Sequence, residues 1–262
     1  MKSLEIKSLT KLFGGLRAVQ DVSFTVRKNT VHSVIGPNGA GKTTLINLIT
    51  GMYTPTSGQV LFGAQDITGQ APQKLPALGM ARTFQNLQVC MNMSALENVM
   101  VGAHLRQNSS LIAGLLSLPR LRADDRACRD EALQAMALVG LASYAEAQAS
   151  QMSYGALKRL EIARALMTRP GMMLMDEPAA GLNPTETAEV GVLIRQLANE
   201  GLTVVLVEHD MPLVMGVSDT ITVLDHGKKL AEGTPAQVRV NPQVIAAYLG
   251  AEVGNEAQRE AA

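Results

Sequence analysis

The sequence predicts an α/β fold, one domain with a mixed-sheet core, an antiparallel β subdomain near its start and an inserted helical subdomain. Three observations carry that prediction. A glycine-rich turn lies between a run rich in β-branched residues, Val31-His32-Ser33-Val34-Ile35, and an apolar run with helical spacing, Leu45-Ile46-Asn47-Leu48-Ile49. A second apolar run, Met172-Met173-Leu174-Met175, ends in two acids, Asp176-Glu177. Between these, from about Ser94 to Gln151, Ala, Leu and Met recur at helical spacing.

Composition sets the bounds. At 262 residues with 47% hydrophobic content, the chain suits one compact domain with an insertion. Residues 1–250 are expected to form that domain, with the helical subdomain at about 94–165 and a polar, Ala-rich tail over 251–262. Lys plus Arg equals Asp plus Glu at 23 each, so no global charge draws the chain to nucleic acid, which is not expected as a partner. Met1 to Ile6 has no apolar leader core, and nowhere does an apolar run reach the length of a membrane span. The expectation is a cytosolic chain that does not cross a membrane. Cys90 and Cys128 match neither a metal spacing nor a disulfide framework and are expected to be free thiols, buried or half-buried.

Taken in order, Leu4-Glu5-Ile6, Leu12-Phe13, Ala18-Val19 and Val22 to Val26 read as antiparallel strands flanking the strand at Val31 to Ile35. Phe13 precedes Gly14-Gly15, which makes it a candidate either for stacking on an adenine ring or for a core position. Gly36-Pro37-Asn38-Gly39-Ala40-Gly41-Lys42-Thr43-Thr44 then has the strand, loop and helix context of a phosphate-binding P-loop. Its glycines let the backbone wrap an anion and aim N–H groups inward, while the following helix presents its positive end. Lys42 is placed to reach the β- and γ-phosphates and the Thr43 hydroxyl to ligate Mg²⁺.

A strand at Gln59 to Phe62 follows, then Met80-Ala81-Arg82, running into a polar loop where Gln85 offers an amide oxygen to a metal or simply to solvent. Asp130 to Val139 is the clearest amphipathic helix of the insert. Leu111 to Leu118 reads as part of a helical hairpin stopped by Pro119. In Met152-Ser153-Tyr154-Gly155, Ser153 is placed to cap a helix whose free N–H groups form a second anion site. Asp176, ending a strand that must lie in a sheet core, is placed to hold the Mg²⁺ hydration shell, and Glu177 to orient or deprotonate a water. Asn183-Pro184 opens a helix through Gln196, and Thr203 to Val207 is another buried parallel strand. His209, just beyond that strand's C-terminal end, lies on the side where open α/β sheets bind ligands, whereas His32, His104 and His226 read as structural or solvated.

With these motifs in this order, residues 3 to 250 resemble an ATP-binding subunit of an ABC transporter, and hence a P-loop NTPase of ABC type. The long insert, Ala179-Ala180-Gly181-Leu182-Asn183-Pro184, Glu208-His209-Asp210-Met211 and Ala247-Tyr248-Leu249-Gly250 look like the larger ATPase of branched-chain amino acid importers. That resemblance implies two ATPase subunits, a heterodimer or a homodimer, closing head to tail, with each ATP between one P-loop and the partner's Ser153-Tyr154-Gly155. It implies adenine on Phe13, phosphates on Lys42 and the loop amides, and Mg²⁺ on Thr43, Gln85 and Asp176. Glu177 would be the catalytic base and His209 the γ-phosphate sensor. It further implies two membrane-spanning permease subunits facing the loop at Gln85, an external solute-binding protein, and a peripheral location on the cytoplasmic side of a bacterial inner membrane. Met152, Tyr154 and Ala156 depart from the family's usual Leu-Ser-Gly-Gly-Gln, and Asn183 replaces its usual aspartate. Three competing readings are the ATPase of a lipopolysaccharide-type exporter, a soluble ATP-driven clamp, and an ATP-binding protein without turnover.

Overall fold

A computed structural model describes residues 2–83, 86–106 and 119–248. Gln85, the Leu111 to Leu118 segment and the tail over 251–262 lie outside the described residues. In chain order the elements are β1 (Leu4–Phe13), β2 (Leu16–Val26), β3 (Val31–Ile35), α1 (Lys42–Ile49), β4 (Ser57–Phe62), β5 (Gln65–Asp66), α2 (Leu75–Leu78) and β6 (Met80–Arg82). They continue with α3 (Ala95–Val101), α4 (Pro119–Leu138), α5 (Tyr154–Leu166), β7 (Met172–Asp176), α6 (Pro184–Asn199), β8 (Thr203–Val207), α7 (Met211–Val217), β9 (Thr220–Asp225), β10 (Lys228–Gly233) and α8 (Pro235–Arg239).

The strands form two sheets among the described residues. One is antiparallel, in the order β2-β1-β4-β5; the other runs β10-β9-β3-β8-β7-β6 and is parallel except for β10 at its edge. The N-terminal strands thus form the expected antiparallel β subdomain, as a sheet of their own and not paired beside β3. The four short runs read in sequence are two long strands interrupted by irregularities. Ser8 and Asp21 sit at φ 46° and 51°, and register shifts fall between Ile6 and Leu9 and between Leu9 and Lys11. Hydroxyls take up the displaced donors: Ser8 N–H donates to Ser23 Oγ at 2.8 Å and Asp21 N–H to Thr10 Oγ1 at 3.0 Å.

β7 and β8 are buried along their whole length, because helices or strands cover both faces of the parallel sheet. Their side chains still alternate. Met172, Leu174, Val205 and Val207 join α1 and the antiparallel sheet in one core, while Met173, Met175, Val204 and Leu206 join α3, α4, α5 and α6 in another. The P-loop helix is thus clamped between the two sheets. That clamping fixes its N-terminal end relative to the tips of β7 and β8.

In the helical subdomain the described part of α4 begins at Pro119, and the segment that Pro119 was expected to stop lies outside the described residues. Asn98, 1% exposed, holds the strand-to-subdomain loop by accepting from Cys90 N–H at 2.8 Å and donating to Cys90 O at 3.0 Å. Cys128 is buried as expected, but Cys90 is exposed, since that loop runs over the surface. No helix among the described residues is long and apolar enough to cross a membrane.

Candidate functional site

The glycine-rich turn leaves β3 at Gly36 and enters α1 at Gly41. A Cβ on Gly36, at φ 153°, would lie 2.2 Å from Leu224 O, and one on Gly41, at φ 97°, would lie 2.4 Å from Ala18 O. Only glycine fits at either position. Gly41 is the N-cap of α1 and supplies no capping side chain, so the helix's first amides and its positive end are left for an anion. Lys42 is folded back on the turn, donating to Gly36 O at 2.7 Å and Pro37 O at 3.0 Å. Burial lowers the pKa of its ammonium, against the pull of Glu177 and Asp176.

Asn38, Gly39, Gly41, Lys42, Thr43, Thr44 and Glu177 line one cavity of ≈ 590 Å³. Most of the sequence-predicted phosphate site and the predicted base therefore share a wall. The remaining lining, Leu16, Arg17, Ala18, His226 and Gly227, escaped sequence reasoning. The hairpin tip and the β9–β10 turn are joined here: Gln20 N–H donates to Gly227 O at 2.7 Å and Gly227 N–H to Ala40 O at 3.1 Å. The Asp225-His226-Gly227 turn was the available signal, since it follows the C-terminal end of a parallel strand. A larger groove of ≈ 970 Å³ between α6 and α7 carries none of the phosphate-binding residues, so chemistry and not volume selects the site.

Phe13 lies beside the cavity without lining it. It is 41% exposed and meets Tyr53 edge-on at 5.3 Å, with Lys11 Nζ 5.0 Å from its ring centre. Ser153 and Gly155 are also away from the lining. Ser153 Oγ caps α5 by accepting from Ala156 N–H at 3.3 Å, as the sequence predicted. Gly155 packs so closely on the N-terminal end of α6 that a Cβ there would lie 2.5 Å from Glu186 Oε1. Asn183 caps α6: its Oδ1 accepts from Glu186 N–H at 3.0 Å, which gives the side chain a structural use, and its backbone N–H donates to Glu186 Oε2 at 3.1 Å.

Asp176, 2% exposed at the end of β7, accepts from Arg82 Nη2 at 2.9 Å. Arg82 Nη1 also donates to Asn47 Oδ1 and Thr50 Oγ1 of the P-loop helix, both at 2.8 Å. Burial raises the Asp176 carboxyl and lowers the Arg82 guanidinium, each opposed by its partner; the pair is held by geometry against desolvation. Sequence reading missed Arg82 because its carboxylate is 94 positions away. Among the described residues no three His, Cys, Asp or Glu gather as a metal cage. The hard oxygens of Thr43 and Asp176 suit Mg²⁺, which is commonly bound by one or two protein oxygens together with substrate phosphates.

Glu177 is held at φ 49°, an αL conformation costly for a non-glycine residue, and its N–H donates to Val207 O at 2.8 Å. The register that pairs Asp176 with Val207 sets the two strand tips level. It brings His209 Nδ1 to 3.8 Å from Glu177 Oε1, so the two predicted catalytic residues meet across 32 positions of sequence. The His209 side chain is 61% exposed and, although it lies beside Glu177, it is not part of the cavity lining.

The chain is similar to known proteins over nearly its whole length. The family model described as "ABC transporter" matches residues 19–180, and that described as "Branched-chain amino acid ATP-binding cassette transporter" matches residues 228–254. The high-affinity branched-chain amino acid transport ATP-binding protein BraF of Pseudomonas aeruginosa is 46% identical over 248 residues, covering 94% of this chain and 97% of BraF. LivG of Escherichia coli, with the same description, is 45% identical over the same shares. A nucleotide-free ATP-binding cassette from an ABC transporter superposes with a TM-score of 0.82 at 33% identity, covering 95% of this chain and 99% of that one. The ADP conformation of MJ1267, an ATP-binding cassette of an ABC transporter, superposes with the same TM-score, identity and coverage.

Proposed function

Because the chain belongs to the ABC transporter family of ATP-binding proteins, we propose that it is the ATPase subunit powering import of branched-chain or related hydrophobic amino acids through a membrane permease. One observation carries the solute class: relatives spanning 94% of the chain at 44–46% identity are named for branched-chain amino acid transport. The chain works at the cytoplasmic face of a bacterial inner membrane. Its partners are two membrane-spanning subunits, a second ATPase and, indirectly, an external solute-binding protein.

The residues supply a mechanism for ATP hydrolysis. Lys42 exchanges its bonds to Gly36 O and Pro37 O for the β- and γ-phosphate oxygens, while the loop amides and the α1 N-terminal end hold the remaining charge. Phe13, at the edge of the cleft, stacks on adenine. Thr43, Asp176 and Gln85 would hold Mg²⁺, which would neutralise the charge that develops on the phosphates. Glu177 takes a proton from a water that attacks the γ-phosphorus in line as the bond to ADP breaks. His209, beside Glu177, donates to a γ-phosphate oxygen. Ser153 and Gly155, outside this chain's own cleft, close over the γ-phosphate bound by the other ATPase.

The test is a pull-down from native membranes using a tagged Glu177→Gln variant with ATP. Two different multi-span proteins and a second, shorter ATPase are expected, and the variant is expected to bind ATP yet turn it over at least 100-fold more slowly. Recovery of lipid-export components would support the exporter reading, and soluble partners alone would remove transport. Wild-type turnover in the variant would remove Glu177 from the role of base.

A further inference from the structure

The most buried acid next to the reaction cleft has no part in the mechanism so far. Glu208 follows β8 and is 0% exposed. Its Oε1 accepts from Ala179 N–H at 2.8 Å, and its Oε2 accepts from His209 N–H at 3.0 Å and Asp210 N–H at 3.4 Å. Oε2 also lies 3.7 Å from His209 Nδ1. One carboxylate thus holds the loop that follows Glu177 and the loop that carries His209.

We infer that Glu208 is a positioning residue for hydrolysis, fixing Glu177 and His209 relative to each other and tying both to the loop leading into α6. The inference rests on the proposed roles of Glu177 and His209. Together with the bond from Glu177 N–H to Val207 O, the Ala179 contact makes a two-point bracket between the tips of β7 and β8. The bracket fixes the direction in which Glu177 leaves its sheet, in the αL conformation that it would not adopt unaided. The Oε2 contacts fix where the His209 backbone turns, and the imidazole has Glu208 and Glu177 on its Nδ1 side.

A carboxylate is required by the donor count. Three backbone N–H groups converge on two oxygens, and burying a charge is tolerable only when such charge-assisted bonds replace its water. Glutamine has nearly the same shape but puts an N–H₂ where one oxygen stood, so it faces either the Ala179 donor or the His209 and Asp210 donors with another donor. One loop is released while the core stays filled. Phosphate-binding residues are untouched, since Lys42 and the turn make none of these bonds.

The test compares Glu208→Gln with wild type, in the assembled complex and alongside Glu177→Gln and His209→Ala. A fall in kcat of tenfold or more is expected, with MgATP affinity within twofold of wild type and a smaller fall when His209→Ala is already present. Wild-type kcat in Glu208→Gln, an equal fall with and without His209, or a joint loss of affinity and turnover would each overturn the inference. If Glu208→Gln does not fold, hydrogen exchange on the unmodified chain decides: the Ala179 amide should exchange as slowly as those of β8, and exchange at the rate of an open loop overturns the bracket. Full activity in Glu177→Gln sinks the proposed mechanism itself, whereas an inactive Glu177→Gln beside a fully active Glu208→Gln sinks only this inference.

Discussion

Acid should loosen this protein through His32, a residue with no catalytic part. The imidazole lies in β3, 1% exposed, stacked on Phe24 with ring centres 5.2 Å apart and with Nε2 2.9 Å from Thr222 Oγ1. Burial lowers its pKa from 6.5 to about 4; the Glu232 carboxylate opposes this and the Lys229 ammonium adds to it. The native state therefore holds the ring neutral while the unfolded chain takes a proton below pH 6.5. The sign follows: the His32 contribution is fully present above that pH, declines as pH falls, and is spent by about pH 4. At 1.36 kcal/mol per factor of ten in acidity, the full loss is about 3 kcal/mol, roughly 2 of it by pH 5. Urea unfolding at pH 7.5 and pH 5 checks this in wild type and in His32→Phe with Thr222→Val, which removes the titrating ring and the hydroxyl it would strand. With a denaturant slope of about 3 kcal/mol per molar, the wild-type midpoint should fall by about 0.7 M more than that of the double variant. Equal pH dependence in the two proteins would refute the argument, because every other titrating group is common to both.

Two further predictions concern the site. Arg82→Met leaves the buried Asp176 carboxylate without the guanidinium and should cost about 3–5 kcal/mol, as does breaking buried pairs by removing one member. Adding Asp176→Asn should recover part of that loss, and strictly additive losses in urea unfolding would show that the pair is not coupled. Gly41→Ala puts a Cβ 2.4 Å from Ala18 O at φ 97°, prising the hairpin tip from the P-loop. A fluorescent ATP analogue should bind at least tenfold more weakly, and unchanged affinity would count against the P-loop geometry.

The phosphate site was legible because its chemistry is contiguous. Gly36 to Thr44 supplies turn, cation and hydroxyl within nine positions, and Met172 to Glu177 shows a core strand delivering acids to its tip. Such signals survive in one dimension because backbone geometry, and not distant packing, creates them. The same holds for Ser153, whose cap acts three residues away. The N-terminal strands were read as short runs for a local reason: bulges at Ser8 and Asp21 divide long strands.

By itself, then, the sequence determined the α/β class, the P-loop and the acid-tipped strand. Only tertiary structure decided how these meet. The parallel pairing of β7 and β8 sets Asp176 beside Val207, and this places Glu177, Glu208 and His209 together. Clamping α1 between two sheets lets Arg82 reach both Asp176 and the P-loop helix. The hairpin tip and the His226 turn complete the cleft because their backbones bond to each other and to the P-loop. The physical reason is common to all three cases: strand register and sheet order are set by burial of apolar side chains that carry no chemistry, and they act across separations where spacing in sequence holds no information.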